Sequence, residues 1–242
     1  MISQRTPELF EPGRLRCVET VLPVLSAAER LAMDERWAEA VLANPHLFDG
    51  PTVAGAGLDR DGPDGLVLTW ARSTYRRRVL RRIPGAPRVS SVFVCVVQAA
   101  DDGRLMVGRM APWTASPGRL QLPGGSMEPP PPGEPLDLAA LRRHAARELV
   151  EETGLGAPSE ELTLWLVTRG ENGSIGFHFR APRRPAALLY ERFAAMAAAE
   201  RALGREPELE RIALIRSEAG PVGLDGPRAD YLGPVVRRHL RD

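Results

Sequence analysis

Three carboxylates crowd one face near the end of a predicted helix, in the run Arg147-Glu148-Leu149-Val150-Glu151-Glu152-Thr153-Gly154-Leu155. An α-helix turns about 100° per residue, so Glu148, Glu151 and Glu152 fall within an arc of about 100°. Carboxylates so close repel one another unless a positive charge sits among them. Hard oxygen donors on one face suit magnesium, which keeps several waters and is commonly shared with substrate phosphates. A bare Glu-x-x-Glu-Glu is more simply read as a solvated acidic patch. Two features weigh against that reading. Acidic residues at a helix C-terminus oppose the macrodipole and need another reason to be there. Upstream, Leu122-Pro123-Gly124-Gly125 makes a tight glycine turn that lets backbone approach both the helix and a ligand. His144, one turn before Glu148 on the same face, reads as a solvated helix histidine.

The elements that must hold these groups follow from periodicity. Asp137 to Thr153 reads as a helix with Asp137 as N-cap and Gly154 as its stop. Leu138, Leu141, Ala145 and Leu149 give it an apolar stripe that wedges it into a core. Val89 to Gln98 has a buried-strand pattern, with Val92, Val94, Val96 and Val97. Asp101-Asp102-Gly103 turns it into a second strand, Arg104 to Arg109. Leu120 to Pro123 reads as short and extended. Leu162 to Thr168 and Ile175 to Phe179 read as a hairpin across Gly170 to Gly173. Ala186 to Gly204 reads as a long helix, Ile212 to Ile215 as the last strand, and Leu232 to Leu240 as an amphipathic helix. Upstream, Ser26 opens a helix that Asn44-Pro45 ends. A turn-rich stretch runs from Asp49 to Pro63, Leu66 to Trp70 is a strand, and Ser73 to Arg82 is a short arginine-rich helix. Ile83 to Pro87 marks a boundary. The expected organisation is therefore an N-terminal extension over 1–88 and a main domain over 89–242.

Composition narrows the class. The chain has 242 residues, 43% hydrophobic and 26% charged, in the range of an ordinary globular protein. Its net charge of +1 provides no strong field for nucleic acid or an anionic membrane, so neither is expected as a partner. No apolar run reaches the ~20 residues that span a bilayer. Met1 to Glu11 lacks the apolar core of a secretory signal, and a cytoplasmic location is expected. Cys17 and Cys95 are too few for a disulfide framework or a cysteine zinc site, and read as packing residues. All 32 basic residues are arginine, which suggests a GC-rich bacterial genome.

From Arg147 to Leu155 the chain resembles the second half of the Nudix box residue for residue, and Gly124 and Gly125 match its glycine pair. The first half departs. Ser126 to Ala146 is longer than the family's spacing and contains Pro129 to Pro132, so both Glu128 and Glu134 are candidates for the remaining box glutamate, with Glu134 favoured. The resemblance implies an α/β/α sandwich with a mixed sheet and metal-assisted hydrolysis of a diphosphate. It implies Mg2+ or Mn2+ as cofactor, held by Glu148, Glu151, Glu152 and Gly124. It further implies that Arg147 orients a glutamate and that Glu151 and Glu152 belong to the catalytic set. The general base is left open among Glu152, Glu171, Glu206, Glu208 and Glu210. Leu47 to Pro51 and Leu68 to Arg76 resemble the extension of animal Nudix pyrophosphatases acting on UDP-glucose and UDP-galactose. That likeness implies a UDP-sugar substrate, cleaved to UMP and a sugar 1-phosphate, with Arg72 and Arg76 as substrate contacts and Arg77 and Arg78 beside them as further candidates for the diphosphate. ADP-ribose, dinucleotides, coenzyme A or oxidised nucleotides are alternative substrates, and a non-catalytic nucleotide sensor is the alternative role. A homodimer is left open.

Overall fold

The computed structural model describes residues 6–217 and 225–242. Ten strands form two sheets. Strands β1 (Glu8–Phe10), β2 (Arg14–Glu19), β3 (Pro51–Asp61), β4 (Gly65–Thr74), β5 (Ser90–Val97), β8 (Thr163–Arg169) and β9 (Ile175–Arg180) make a mixed sheet in the order β1-β8-β9-β5-β3-β4-β2. Strands β6 (Leu105–Met110), β7 (Leu120–Gln121) and β10 (Leu209–Ile215) make a smaller antiparallel sheet in the order β10-β6-β7.

Alternation along β5 explains the layering. Val92, Val94 and Val96 point into one core with Leu141, Ala145 and Leu149 of helix α2 (Leu138–Thr153) and Phe177 and Phe179 of β9. Cys95 and Val97 point the other way, into a core with Tyr231 and with Leu232, Val235 and Val236 of helix α4 (Leu232–His239). A strand buried on both faces is apolar at every position, which is why its sequence shows a continuous valine run. Helix α3 (Ala186–Ala202) packs on α2 and β10. The arrangement is the expected α/β sandwich with helices on both sides of a mixed sheet.

Helix α2 begins and ends as its sequence indicates. Asp137 caps it, its side chain accepting from Ala140 N, and Gly154 stops it in the left-handed conformation at φ 70°. The helix of the first 88 residues, α1 (Ala27–Ala43), starts at a capping box in which Ser26 and Glu29 satisfy each other's backbone N–H. It lies against a 3-10 helix, Tyr75–Arg82, through Leu25, Met33, Leu80 and Ala86.

Residues 49–63, expected as turns, instead contain all of β3. Glycine explains the difference. Gly55 lies where a Cβ would come 2.8 Å from Ile175 Cδ1, and the register with β4 shifts between Gly55 and Gly57. A bulged strand built on small residues lacks the alternation that marks a strand in sequence. The short strands β1 and β2 also carried no clear pattern.

The two parts of the chain share one sheet and one core. Ala54 and Gly55 of β3 pair with Ser91 and Ser90 of β5. Trp70 of β4 is 1% exposed and belongs to the same cluster as Val92, Leu141 and Phe177. At the other end, residues after the last sheet strand return to β7: Leu120 N donates to Pro227 O at 2.8 Å, and Ala229 N donates to Leu120 O at 2.9 Å. We expect Trp70→Ala to lower the stability of the whole chain by about 3–5 kcal/mol in a single urea transition. A separate early transition confined to the first 88 residues would contradict the shared core.

Candidate active site

The glycine turn and helix α2 meet across β5. Residues 123–127 run beside β5: Val96 N donates to Pro123 O at 2.8 Å, Val94 N to Gly125 O at 3.0 Å and Met127 N to Val92 O at 3.0 Å. On the far side Val53 N of β3 donates to Met127 O at 2.8 Å, so the loop is laced in from both edges. Gly124 has φ 145°, and a Cβ there would lie 2.1 Å from Val94 O; only glycine fits. A Cβ on Gly125 would lie 2.5 Å from Glu148 Oε2. Loss of both side chains lets the α2 carboxylates reach the loop backbone.

Each carboxylate has a distinct environment. Glu152, 3% exposed, accepts from Gly124 N at 2.7 Å. Burial pushes its carboxyl well above the ordinary value of 4.5, the Glu148 charge adds to this, and the Gly124 hydrogen bond opposes both. Glu148 Oε1 lies 3.0 Å from His144 Nε2. Glu151, at the outer edge, is raised by partial burial and then by Glu148, with Arg147 opposing.

His144 is not the solvated residue expected. It is 5% exposed, and its Nε2 sits 3.0 Å from Ser126 O and 3.0 Å from Glu148 Oε1. Arg147 Nη2, which can only donate, lies 2.7 Å from His144 Nδ1. Nδ1 therefore accepts, and Nε2 carries the proton shared between Ser126 O and Glu148. The missed signal was its phase: His144 stands at the border of the apolar stripe, four residues before Glu148. Arg147 itself reaches Glu128 Oε2 at 3.0 Å and Glu151 Oε1 at 3.8 Å by single contacts. Glu134 is exposed, with its backbone N donating to Pro131 O. Of the two candidate box glutamates, Glu128 is the one brought to Arg147.

A cavity of about 870 Å³ opens beside Gly124, Gly125 and Ser126. Glu171 and Glu208 line it. Glu208 keeps a solvent-facing edge, yet surrounding protein raises its carboxyl, as do the charges of Glu148 and Glu151. Glu206 and Glu210 are engaged elsewhere, with Arg201 and Arg109. Arg72 and Arg76 are not among the lining residues. Arg72 holds Glu19 at 3.0 Å and donates to Pro130 O at 2.6 Å and Pro131 O, clamping the proline insertion, in which Pro130 is buried. Arg76 pairs with Asp34 and Asp49, each at 3.2 Å. The lining instead includes Arg78 and Phe48, both within segments that the sequence singled out, and Arg81, Arg119, Trp113, Asp230 and Tyr231, which no local pattern announced. Cys95 also reaches the cavity wall, where burial pushes its thiol up to about 12, as befits a packing residue.

Among the described residues, no three His, Cys, Asp or Glu side chains stand ready-made around a cation. Glu152 is folded onto Gly124 N, Glu148 onto His144 and Glu151 towards Arg147. The donor set still suits a hard divalent cation: it is carboxylic and all oxygen, and Glu151 and Glu152 are raised by burial and then by the Glu148 charge, which a cation would offset.

No family model and no curated protein matches the chain. Solved structures do. The MutT protein from Methanosarcina mazei is similar over 63% of this chain and 94% of its own, with 17% identity and a TM-score of 0.41. A bifunctional NMN adenylyltransferase/ADP ribose pyrophosphatase from Francisella tularensis, complexed with AMP and a Mn ion, is similar over 68% of this chain and 44% of its own, with 15% identity and a TM-score of 0.38. A Nudix hydrolase from Nitrosomonas europaea is similar over 51% of this chain and 70% of its own, with 20% identity and a TM-score of 0.27.

Glu152 has a consequence for metal-free stability. A carboxyl raised by folding stabilises the fold only while protonated; that contribution is full below 4.5 and is lost as pH rises through the raised value. Glu152→Gln keeps an acceptor for Gly124 N and removes the titration. With chelator present, we expect this variant to match the parent below pH 4.5 and to exceed its melting temperature increasingly above it. Parallel melting curves across that range would show that folding does not raise the Glu152 carboxyl.

Proposed function

We propose that this chain is a Nudix pyrophosphohydrolase that cleaves the diphosphate of a nucleoside diphosphate joined to another group. The observation that carries the reading is the approach of Glu148 and Glu152 to the Gly124-Gly125 backbone at the edge of a large cavity. Glu148, Glu151, Glu152 and the Gly124 backbone are the groups that would hold Mg2+ or Mn2+. A divalent cation there supplies Lewis-acid charge at the phosphoryl oxygens. The protein's own residues do the rest. His144 and Arg147 fix Glu148 and Glu151 in orientation. Glu208, whose carboxyl lines the cavity and is raised above its ordinary value, is suited to accept a proton from the attacking water. The apolar wall of Leu122, Cys95 and Tyr231 limits water behind the loop.

Within that class we propose a UDP-sugar as substrate, hydrolysed by one water to UMP and a sugar 1-phosphate. The order and content of Leu47 to Pro51 and Leu68 to Arg76 support this choice. So does Phe48, an aromatic ring 77% exposed on the cavity lining, free to stack on a base. Gln121, Asn172 and Asp230 on the same lining offer polar groups of the kind that discriminate between bases and sugars.

Two measurements test the reading. Glu151→Gln and Glu152→Gln should each lower kcat by at least ~100-fold with the fold intact, since each removes an anionic oxygen ligand; parent rates in both would refute the site. Comparing kcat/KM for UDP-glucose and UDP-galactose with ADP-ribose, ADP-glucose, NADH and coenzyme A should rank the UDP-sugars first. A faster member of the second group would replace the substrate, and no turnover of any nucleotide with magnesium would favour a binding role.

A further inference from the structure

Three arginines on the cavity wall are held without a carboxylate. Arg78 donates to Ser126 Oγ at 2.8 Å and stacks over Tyr75, 4.3 Å from the ring centre. Arg81 donates to Val89 O at 3.1 Å and to Ser91 Oγ. Arg119 donates through Nε and Nη2 to Gln121 Oε1, at 3.2 and 2.7 Å. All of these acceptors are neutral. Among the described residues none of the three forms an ion pair, whereas Arg72, Arg76, Arg109 and Arg147 all do. All three are half-buried.

Partly desolvated like charges gathered without counterions are unfavourable unless an anion completes them. Arg78 is within electrostatic reach of both others. Burial lowers Arg78 and Arg81; Tyr75 opposes this at both, while the charge of Arg119 on Arg78, and of Arg78 on Arg81, adds to it. Their position is equally specific. Ser126, the partner of Arg78, directly follows Gly125, and Gln121, the partner of Arg119, donates to Gly124 O at 3.4 Å. The guanidinium cluster therefore lines the cavity beside the same loop that the α2 carboxylates approach. Guanidinium forks match phosphate oxygens in shape as well as charge.

We propose that Arg78, Arg81 and Arg119 form an anion site that grips the diphosphate without a metal, so that the first 88 residues supply part of the phosphate-binding machinery. That the anion is a substrate's diphosphate rests on the hydrolase reading; the anion site does not. Two bridged phosphates spread more oxygens and more charge over three guanidiniums than a single phosphate does.

Calorimetric titration of the full chain with inorganic pyrophosphate in chelator and moderate salt tests this. The parent should bind pyrophosphate more tightly than orthophosphate, with an affinity that falls as salt rises. Arg119→Gln gives up only a local contact with Gln121 and should weaken binding by about tenfold, as should Arg78→Gln, since a hydrogen bond to a charged group is worth about that factor. The double variant should lose more than either. Arg76→Gln, at an arginine paired with Asp34 and Asp49, should bind as the parent does. Circular dichroism and melting curves identify variants that fail to fold, and Arg119→Gln alone then decides. No pyrophosphate binding by the parent, or equal binding by the parent and folded Arg119→Gln, overturns the proposal. Pyrophosphate binding by the arginines with no turnover of any nucleotide supports the anion site and sinks the hydrolase reading. Unaltered binding in the arginine variants with magnesium-dependent turnover does the reverse.

Discussion

The hydrogen bond from Gly124 N to Glu152 ties the two halves of the candidate site together, and it exists against an electrostatic gradient. Glu152 is buried, and Glu148, Glu208 and Glu151 all press its carboxyl towards neutrality. A carboxylate is kept there by packing, because Leu141, Ala145 and Leu149 fix the helix against β5 and leave its charged face no other direction. The glycine loop is fixed as firmly, through backbone bonds to β5 on one side and to Val53 on the other. Core and ladder thus hold like charges at a separation that solvent alone would relax, a common trade of stability for function.

The cation cluster mirrors that arrangement with the opposite sign. Carboxylates approach residues 124–125 and guanidiniums hold Ser126 and Gln121 beside them, each group unfavourable alone. A loop of two glycines and a serine is small enough to let both approach. The arginines come from the 3-10 helix and from the residue just before β7, so this polarity depends on the early strands β3 and β4 being part of the sheet.

Much of the carboxylate side was legible in the sequence because it is local. A helix displays its faces by period, and Asp137, Gly154 and the glycine pair mark its ends and its neighbour. What was not legible was assembled from distance. Glu128 and Glu134 were indistinguishable along the chain, since the prolines between them hide which one the loop returns to the helix; Arg147 decides by reach. His144 looked solvated because Ser126 O, its partner, comes from a segment eighteen residues earlier. Arg72 and Arg76 carried the right charge but had acidic partners that only the fold reveals. Strand β3 was hidden by the glycines that make it fit.

The returning segment that pairs with Leu120 brings Asp230 and Tyr231 to the cavity. Tyr231 Oη accepts from Leu122 N at 3.3 Å and contacts Cys95 Sγ, while Asp230 Oδ2 accepts from Glu171 N at 3.1 Å. One stretch of chain thus braces β5, the start of the glycine loop and the tip of the β8–β9 hairpin. During synthesis, which delivers residues from the N-terminus onward at roughly 5–20 per second, the carboxylate helix is made long before this brace. A ribosome-bound chain ending short of residue 231 has its acidic helix but an open wall, so the pocket closes only after this brace has emerged.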